Sequence, residues 1–408
     1  MTKNESVFPW RETLVILILA LAFLAVLPVR LDDSSNEAQQ SLQSENVAPL
    51  IDTSPAHLPS GEEEPLQVNA TVYVETWQPD GAGVELYARS LDKDSEVFVA
   101  VGEPSYQFFD VTSTGEAIRF RMDEATGTEI VSVDDRDLFS QPIEKGQILS
   151  ARVSPDGTML AYTSLCGLGC TADGANATTT ISVVNLQTGK LLSSVTKNGF
   201  VVVRQWIANN RLFLSPEVEV GEGEPSYDET YVWHIWNRTY TTIGLEPDTR
   251  SFDVSDDGTF IAYTVARYNA ETKTISSAVV RKPLLGGKAV RVEAPDQTIY
   301  SNVHWSSSQE VVFNKTTVEV VDWDCAYAPC LQGKTDIWAS NGSDLSLVLP
   351  EGEEGMVADA STGIVFYHDA SAPSNRDVVR AYSRAEGRSI GVIDSPRYVH
   401  VLRVISEN

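Results

Sequence analysis

Two histidines are the residues of this chain best suited to chemistry. His304 lies in the stretch NVHWSS and His400 in YVHVLRV, and both stretches have the pattern of short strands. Imidazoles that are neutral near pH 7 bind divalent metals and transfer protons. No second histidine at H-x-H or H-x-x-H spacing accompanies either one. A metal-dependent lyase or hydrolase using His304 and His400 stays open, while we favour a structural role for both side chains.

Four cysteines form two close pairs, Cys166 with Cys170 in CGLGC and Cys325 with Cys330 in CAYAPC. Outside the cytoplasm, cysteines paired so locally form disulfides, and we predict one disulfide in each of the two loops. A zinc site with four thiolates is the alternative, but its usual knuckle has two residues between the cysteines rather than three or four. Each disulfide would stiffen a long loop.

The sequence offers no clear signature of another catalyst or of nucleic-acid binding. Its match to the G-x-S-x-G pattern of nucleophilic serines, GRSIG at 387–391, lies within the repeat region, and GKT at 333–335 lacks the first glycine of a phosphate loop. We therefore assign no catalytic residue and predict no cofactor. The net charge of -27, from 57 acidic and 30 basic residues, disfavours nucleic acid as a partner because the phosphate backbone would be repelled.

The elements that would position these residues come from a repeated hairpin. In ARVSPDGTMLAYTS (151–164), an apolar segment, a Pro-Asp-Gly turn and a second apolar segment predict strand, turn and strand. SFDVSDDGTFIAYTVA (251–266) repeats this pattern almost position for position. Looser copies have their turns near Ser113, Ile207, Ser306 and Ala360. The turns recur every 41–54 residues, a period typical of four-stranded propeller blades.

The two ends of the repeat region predict how the ring of blades closes. Residues 70–100 supply three strands of a blade without its innermost strand, and residues 397–406 supply one strand without a hairpin partner. Their pairing completes a mixed blade and removes an exposed sheet edge. The sequence therefore predicts an all-β fold, a β-propeller of seven four-stranded blades, with six or eight blades as alternatives. The other six blades would begin near residues 106, 148, 200, 250, 299 and 355.

The repeat resembles that of the TolB-type, WD-like propeller family, over about residues 68–406, and most specifically at SPDGTMLAYTS and SDDGTFIAYTV. The resemblance implies that Asp156 and Asp257 bond the backbone amides of their turns. It also implies that Gly157 and Gly258 take positive φ, so that all four residues are structural. TolB itself carries an N-terminal α/β domain before its propeller, and this chain has no room for one.

Two further resemblances bear on activity. The predicted topology is similar to that of the dipeptidyl-peptidase group, in which a hydrolase domain follows the blades, and no segment of that size follows them here. Some pectin-degrading lyases with similar repeats hold a divalent metal with channel histidines. That second resemblance supports the metal-dependent alternative for His304 and His400.

The N-terminal segment predicts where the protein resides. Residues 13–30 contain the uncharged run TLVILILALAFLAVLPV, which is long enough for a short transmembrane helix. Lys3 and Arg11 precede this run and acidic residues follow it, which puts residues 1–12 in the cytoplasm and the rest outside. Residues 31–67 are polar and acidic and predict a disordered tether to a propeller domain at 68–408. We favour an anchor over a cleaved signal peptide, because no small-x-small site follows the run.

These features predict a membrane-anchored scaffold in the periplasm or outside the cell, which binds an envelope or membrane protein or a peptide. The partner would dock at the channel mouth or on the face with the long loops, where Tyr227 and Tyr327 are candidate contacts. The alternative is the metal-dependent lyase or hydrolase.

Glycosylation sequences after the apolar run, which act only in a host that glycosylates, are at Asn69, Asn176, Asn237, Asn314 and Asn341.

Overall fold

Strands and tight turns position every residue of the candidate site. The structure is a computed structural model that describes residues 64–77, 83–93, 95–102, 106–166, 177–216, 230–269, 271–323, 330–342, 344–361, 363–396 and 398–406. Within these ranges, 28 strands form seven antiparallel sheets of four strands each. Two single-turn 3-10 helices, Ile143–Lys145 and Ala208–Asn210, lie between strands. The predicted seven-bladed propeller is therefore confirmed.

The blades are numbered from the mixed blade, and their strands are given from the channel outward. Blade 1 contains β28 (Val399–Ser406), β1 (Ala70–Trp77), β2 (Val84–Ser90) and β3 (Ser95–Gly102), and blade 2 contains β4 (Tyr106–Val111), β5 (Ala117–Asp123), β6 (Thr128–Val133) and β7 (Arg136–Pro142). Blade 3 contains β8 (Gln147–Val153), β9 (Met159–Cys166), β10 (Thr178–Asn185) and β11 (Leu191–Asn198), and blade 4 contains β12 (Val201–Ile207), β13 (Arg211–Pro216), β14 (Thr230–His234) and β15 (Thr239–Ile243).

The remaining blades repeat the same order. Blade 5 contains β16 (Thr249–Val254), β17 (Phe260–Asn269), β18 (Thr274–Pro283) and β19 (Val290–Glu293), and blade 6 contains β20 (Thr298–Trp305), β21 (Val311–Asp322), β22 (Cys330–Ser340) and β23 (Leu345–Leu347). Blade 7 contains β24 (Gly355–Ser361), β25 (Ile364–Asp369), β26 (Asp377–Ser383) and β27 (Arg388–Ser395). The first strands of blades 2–7 begin within one residue of the predicted positions.

The first strands surround a central channel. Those of blades 1 and 2, 2 and 3, 3 and 4, 5 and 6, 6 and 7, and 7 and 1 contact each other directly. Between blades 4 and 5, Gln205 Nε2 donates a hydrogen bond of 2.9 Å to the carbonyl of Val254. These contacts place the seven first strands side by side around one axis.

Alternation along each strand buries both faces of a blade. On β9, Leu160 and Tyr162 pack against blade 2, whereas Ala161 on the opposite face packs against blade 4. Successive side chains of a strand point to opposite faces, so a continuous apolar run such as Met-Leu-Ala-Tyr serves both neighbours. The core is therefore divided into apolar layers between blades, and no blade buries its faces without the next one.

Two devices close the ring between blades 7 and 1. The C-terminal strand β28 pairs with β1 from Ala70 opposite Ser406 to Thr76 opposite Val399, as predicted. In addition, residues 64–67 form an N-terminal strap. Leu66, which is 1% exposed, lies in the apolar layer between the two blades and bonds through its amide to the carbonyl of Leu91 in blade 1. These four residues belong to the segment that the sequence predicts as tether (31–67).

The strap is also bonded to blade 7. The guanidinium of Arg388 donates to the carbonyl oxygens of Glu64 and Pro65, and Glu386 Oε1 accepts a hydrogen bond of 2.7 Å from the amide of Gln67. Polar and apolar contacts of the strap therefore both join the first blade to the last.

The antiparallel order gives the propeller two distinct ends. In blades 2–7 each first strand leads to a turn at one end, which we call the turn end. The turns between third and fourth strands lie at this same end. The connections between second and third strands and the starts of the first strands lie at the opposite end, which we call the loop end. The strap meets the β2–β3 and β26–β27 turns and is therefore at the turn end.

The Asp-Gly turns are held by the aspartates at their centres. Asp156 Oδ1 accepts hydrogen bonds from Ser154 Oγ (2.7 Å) and from the amide of Thr158 (3.0 Å), and Asp257 makes the same contacts with Ser255 and Thr259. Partial burial disfavours both carboxylates, but these hydrogen bonds outweigh it and lower the pKa of each aspartate.

The glycine of the second turn gives a prediction for stability. Gly258 has φ +64°, and a Cβ there would lie 1.8 Å from Cγ2 of Ile207 in blade 4, whereas Gly387 has φ +66° with nothing within 4 Å of its Cβ position. Positive φ alone costs a non-glycine residue about 1–2 kcal/mol. We expect Gly387→Ala to lose that amount, and Gly258→Ala to lose a further 1–3 kcal/mol or so from overpacking between blades. Thermal unfolding of the two variants measures the difference, and equal losses would contradict the close contact of the blades.

Candidate binding site in the central channel

A ring of polar side chains lines the channel, one from each first strand. Each of these residues lies directly opposite a residue of the second strand of its own blade. In every blade, the side chain of that second-strand residue packs against the following blade. The seven positions are therefore equivalent. In blade order, the members are Arg403, Asp110, Arg152, Gln205, Asp253, His304 and Asp359. We call this set the channel ring. Its charges are unevenly divided between two sides.

The side formed by blades 1–4 is basic. Arg403 Nη1 lies 3.1 Å from Asp110 Oδ1, and Arg152 Nη1 donates a hydrogen bond of 2.7 Å to the carbonyl of Phe109. Burial lowers the pKa of Arg152; Asp110 opposes this shift, while the positive charges of Arg204 and Arg403 add to it. Three arginines thus lie close enough to influence one another, with one ring aspartate between them.

The side formed by blades 5–7 is acidic. Asp253 Oδ2 accepts a hydrogen bond of 2.8 Å from the amide of Trp305, and His304 Nδ1 lies 3.4 Å from Asp359 Oδ1. Burial raises the pKa of Asp253 to about 6, against the influence of His304. Burial disfavours the imidazolium of His304, but Asp359 and Asp253 together raise the pKa of His304 above its ordinary value.

Both histidines singled out from the sequence lie on first strands, as predicted. His304 is a member of the channel ring, and His400 is exposed in the channel on β28. Enclosure by the channel walls lowers the pKa of His400, and the charge of Arg152 lowers it further. No group of three or more His, Cys, Asp or Glu side chains with metal-binding geometry occurs among the described residues.

Sequence reasoning missed a buried glutamate beside the ring. Glu75 on β1 is 4% exposed and pairs in register with His400. Burial raises the pKa of Glu75 to about 7, although the charge of Arg152 opposes the shift. The sequence pattern that could have revealed Glu75 is an acidic residue inside the apolar stretch TVYVETW. The pattern that could have revealed the channel ring is a polar residue just before the turn in each repeat, as in FFDV, FDV and VHW.

The pKa of Glu75 predicts a pH dependence of stability. The folded protein holds this proton up to about pH 7, whereas the unfolded chain releases it near 4.5. Stability is therefore greatest below the unfolded value and falls by about 3 kcal/mol as pH rises through 7. We expect Glu75→Gln to abolish that part of the decline, raising the midpoint of thermal unfolding at pH 8 but not at pH 4. Glu124→Gln, at an exposed position, is the control, and parallel pH profiles for Glu75→Gln and the wild type would contradict the prediction.

Large apolar side chains are exposed at the loop-end entrance of the channel. Tyr398 is 57%, Met356 49% and Trp77 40% exposed. Tyr398 stacks on His368, with ring centroids 5.5 Å apart, and His368 pairs in register with Met356. Trp77 follows Thr76, which pairs with Val399, so it lies beside Tyr398. We call Trp77, Met356 and Tyr398 the entrance cluster.

The entrance cluster is anchored by a polar chain between blades 7 and 1. His368 Nδ1 lies 2.8 Å from Asp377 Oδ1, and Asp377 Oδ2 accepts a hydrogen bond of 2.7 Å from the amide of Val399. Tyr398 is therefore presented from a fixed backbone, beside the exposed ring of His400.

Several predicted residues lie outside the described part of the chain. These are Tyr227, Tyr327, Cys170 and Cys325, together with the predicted anchor at 13–30. Cys166 ends β9 and is disulfide-bonded, and Cys330 begins β22, but which cysteines pair stays a prediction. Among the residues that are described, no helix is long and apolar enough to cross a bilayer.

Comparison with known proteins shows the fold. No protein-family model matches the sequence, and no curated protein is similar to it. The propeller domain of the Trilobed protease from Pyrococcus furiosus, which has an open velcro topology, superposes with a TM-score of 0.51 at 11% identity over 83% of this chain and 96% of that chain. Pyrococcus horikoshii acylaminoacyl peptidase gives 0.51 at 13% identity, and the present chain matches 52% of its length. TolB from Acinetobacter baumannii gives 0.41 at 12% identity, over 81% of this chain and 65% of that one.

The seven four-stranded sheets define a seven-bladed β-propeller, and the two likenesses with a TM-score of 0.51 show that peptidase propellers share this kind of fold. At such low identity they carry no activity from one protein to another. Unlike the open topology of the Pyrococcus furiosus domain, the present ring is closed by pairing of β28 with β1.

Proposed function

We propose that the chain is a membrane-anchored, extracytoplasmic scaffold that binds an envelope protein or a peptide at the loop-end entrance of its channel. The entrance cluster is the observation that carries this proposal. Exposed aromatic side chains and Met on a fixed backbone are typical of the buried anchors of protein interfaces. In a chain with a net charge of -27, three such side chains at one channel mouth favour a docking surface over a solvated face.

The channel ring supports the same function. A peptide that enters past the entrance cluster meets arginines on one side and carboxylates on the other. Such a divided field orients a ligand that carries both charges, and oppositely charged partner groups contribute to specificity and association rate. The strap lies at the turn end, so it does not cover the loop-end entrance.

Site-specific photocrosslinking in the native cell tests the docking surface. A photoreactive residue replaces Tyr398 in one variant and Ser140, which is exposed on the outermost strand β7, in the control. We expect a discrete adduct from position 398 and none from position 140. Equal adducts at both positions, or none at 398 in a folded chain, would reject the entrance as the binding site.

The predicted location has its own test. We expect the chain to remain in the membrane after an alkaline wash and its propeller to be digested by protease added outside the cytoplasmic membrane. Release by the wash would reject the anchor without affecting the test of the entrance.

A further inference from the structure

The turns between third and fourth strands differ sharply around the turn end. In blades 3, 4 and 5 these turns read LQTGK, IWNR and LLGGKA, with one basic and no acidic residue in each. In the other four blades the corresponding turns contain acidic residues, which are Asp92, Asp94, Asp134, Asp135, Asp344 and Glu386. Three neighbouring blades therefore share an acid-free edge in a strongly acidic protein.

The same three blades expose large apolar side chains at these turns. Leu191 is 54%, Trp236 56% and Leu285 62% exposed. Each lies within three residues of the basic residue of its turn: Lys190, Arg238 and Lys288. We call these three turns the apolar-basic edge. Apolar and indole side chains flanked by Lys or Arg are the combination that lies at a membrane interface, with the rings at headgroup level.

A cationic cleft adjoins this edge between blades 5 and 6. Its volume is about 300 Å³, and its lining includes Arg281 and Lys288 but no acidic residue. The guanidinium of Arg281 stacks on Trp305, 5.0 Å from the ring centre, and its buried Nε has no hydrogen-bond partner. Within the described residues no carboxylate pairs with Arg281, so its charge is available to an anion from outside.

The tether joins the propeller at this same end. The strap of residues 64–67 bonds to the β2–β3 and β26–β27 turns, so the chain that leads back to the predicted anchor departs from the turn end. Glu64, the first described residue, therefore lies at the same end of the propeller as the apolar-basic edge.

We propose that the apolar-basic edge rests on the lipid bilayer, with Leu191, Trp236 and Leu285 inserted at the interface and a lipid phosphate in the Arg281–Lys288 cleft. This inference rests on the proposed membrane anchor. Long-range attraction to anionic lipid does not drive the contact, because the net charge is -27 and Asp156 and Asp257 are at the same end, next to the channel. Insertion of the apolar side chains drives the contact, so we expect bilayers of phosphatidylcholine to bind the edge without anionic lipid.

Fluorescence quenching in a reconstituted bilayer tests this contact. The full chain is incorporated into nanodiscs of phosphatidylcholine with brominated acyl chains, and the spectrum of Trp236→Phe is subtracted from that of the wild type. The subtraction removes the other seven of the eight tryptophans. We expect the Trp236 component to be quenched, at low and at high salt, because an interfacial indole lies within roughly 5–10 Å of the acyl boundary. An unquenched Trp236 in a chain that has entered the nanodisc would overturn the proposal.

A second arm separates this inference from the anchor. If the chain fails to enter nanodiscs, the anchor is wrong, and flotation of the same chain with phosphatidylcholine vesicles then tests the edge alone. We expect Leu191→Ser and Leu285→Ser each to weaken vesicle binding about tenfold, as loss of one buried apolar side chain predicts. The control, Leu347→Ser, changes a residue on β23 of blade 6 that is 49% exposed and should leave binding unchanged. Vesicle binding that is insensitive to both Leu191→Ser and Leu285→Ser would reject the bilayer as the occupant, and so would a photoreactive residue at position 236 that captures a protein instead of lipid.

Discussion

Replacing Asp110 by Ala is expected to lower the free energy of unfolding by about 3–5 kcal/mol, the cost of breaking a buried ion pair from one side. Asp110 is 4% exposed, and its carboxylate accepts hydrogen bonds from the amides of Val111 (2.8 Å) and Val153 (2.7 Å) as well as from Arg403. The substitution would leave two amides and one guanidinium without this acceptor. Because those groups belong to blades 1, 2 and 3, the loss would affect the closure of the ring.

The exposed ion pair of blade 2 provides the matched control. Asp137 is 58% exposed and lies 3.2 Å from Arg121, so Asp137→Ala should cost less than about 1 kcal/mol. Urea unfolding of the two variants gives the comparison. In a double-mutant cycle, Asp110→Ala with Arg403→Ala should cost less than the sum of the single changes, because the second removes the guanidinium left unpaired by the first. Similar losses for Asp110→Ala and Asp137→Ala would contradict a role for Asp110 in joining the blades.

Replacing Val399 by Asp is expected to prevent stable closure of the propeller. Val399 is fully buried in the apolar layer between blades 7 and 1, in a cluster with Phe366 and Leu66. An unpaired carboxylate at this position would lower the free energy of unfolding by more than about 4 kcal/mol, which is typical of a buried charge without a partner. The milder Val399→Ala should cost about 2 kcal/mol and keeps the prediction measurable if Val399→Asp fails to fold.

The neighbouring residue supplies the control for this strand. His400 lies next to Val399 on β28 but is exposed in the channel, so His400→Asp should change stability far less than Val399→Asp. Thermal unfolding followed by near-ultraviolet circular dichroism measures all three variants. If His400→Asp lowered stability as much as Val399→Asp, the assignment of His400 to the channel and of Val399 to the apolar layer between blades would be wrong.

Blade architecture was predictable because it depends on short-range signals. Apolar alternation and Asp-Gly turns define hairpins whose strands pair within about 20 residues of each other, and the repeat at 155–157 and 256–258 needed only local turn chemistry. The closing strand was predictable for a related reason. An unpaired strand at the C-terminus and a missing strand near residue 70 left one arrangement without a free edge.

The candidate sites were only partly accessible from the sequence. His304 and His400 could be placed on first strands, because their repeats were recognisable. The residues around these histidines could not be predicted, since no local sequence pattern indicates that Glu75 is buried near the charge of Arg152 or that Tyr398 stacks on His368. The strap was missed because residues 64–67 look polar, and only Leu66 enters the core.

The sequence by itself determined the strands and the turns, since these follow from alternation and turn residues that act between neighbours in the chain. It predicted seven blades, with six or eight as alternatives, and it predicted the closing pair of strands because that pairing left no free edge. Only the tertiary structure decided which polar groups meet around the channel. Arg403 and Asp110 are 293 positions apart in the sequence, and they come together only when all seven blades have closed into the ring. Burial and charge at the channel are properties of the complete ring, because each depends on groups that separate blades contribute.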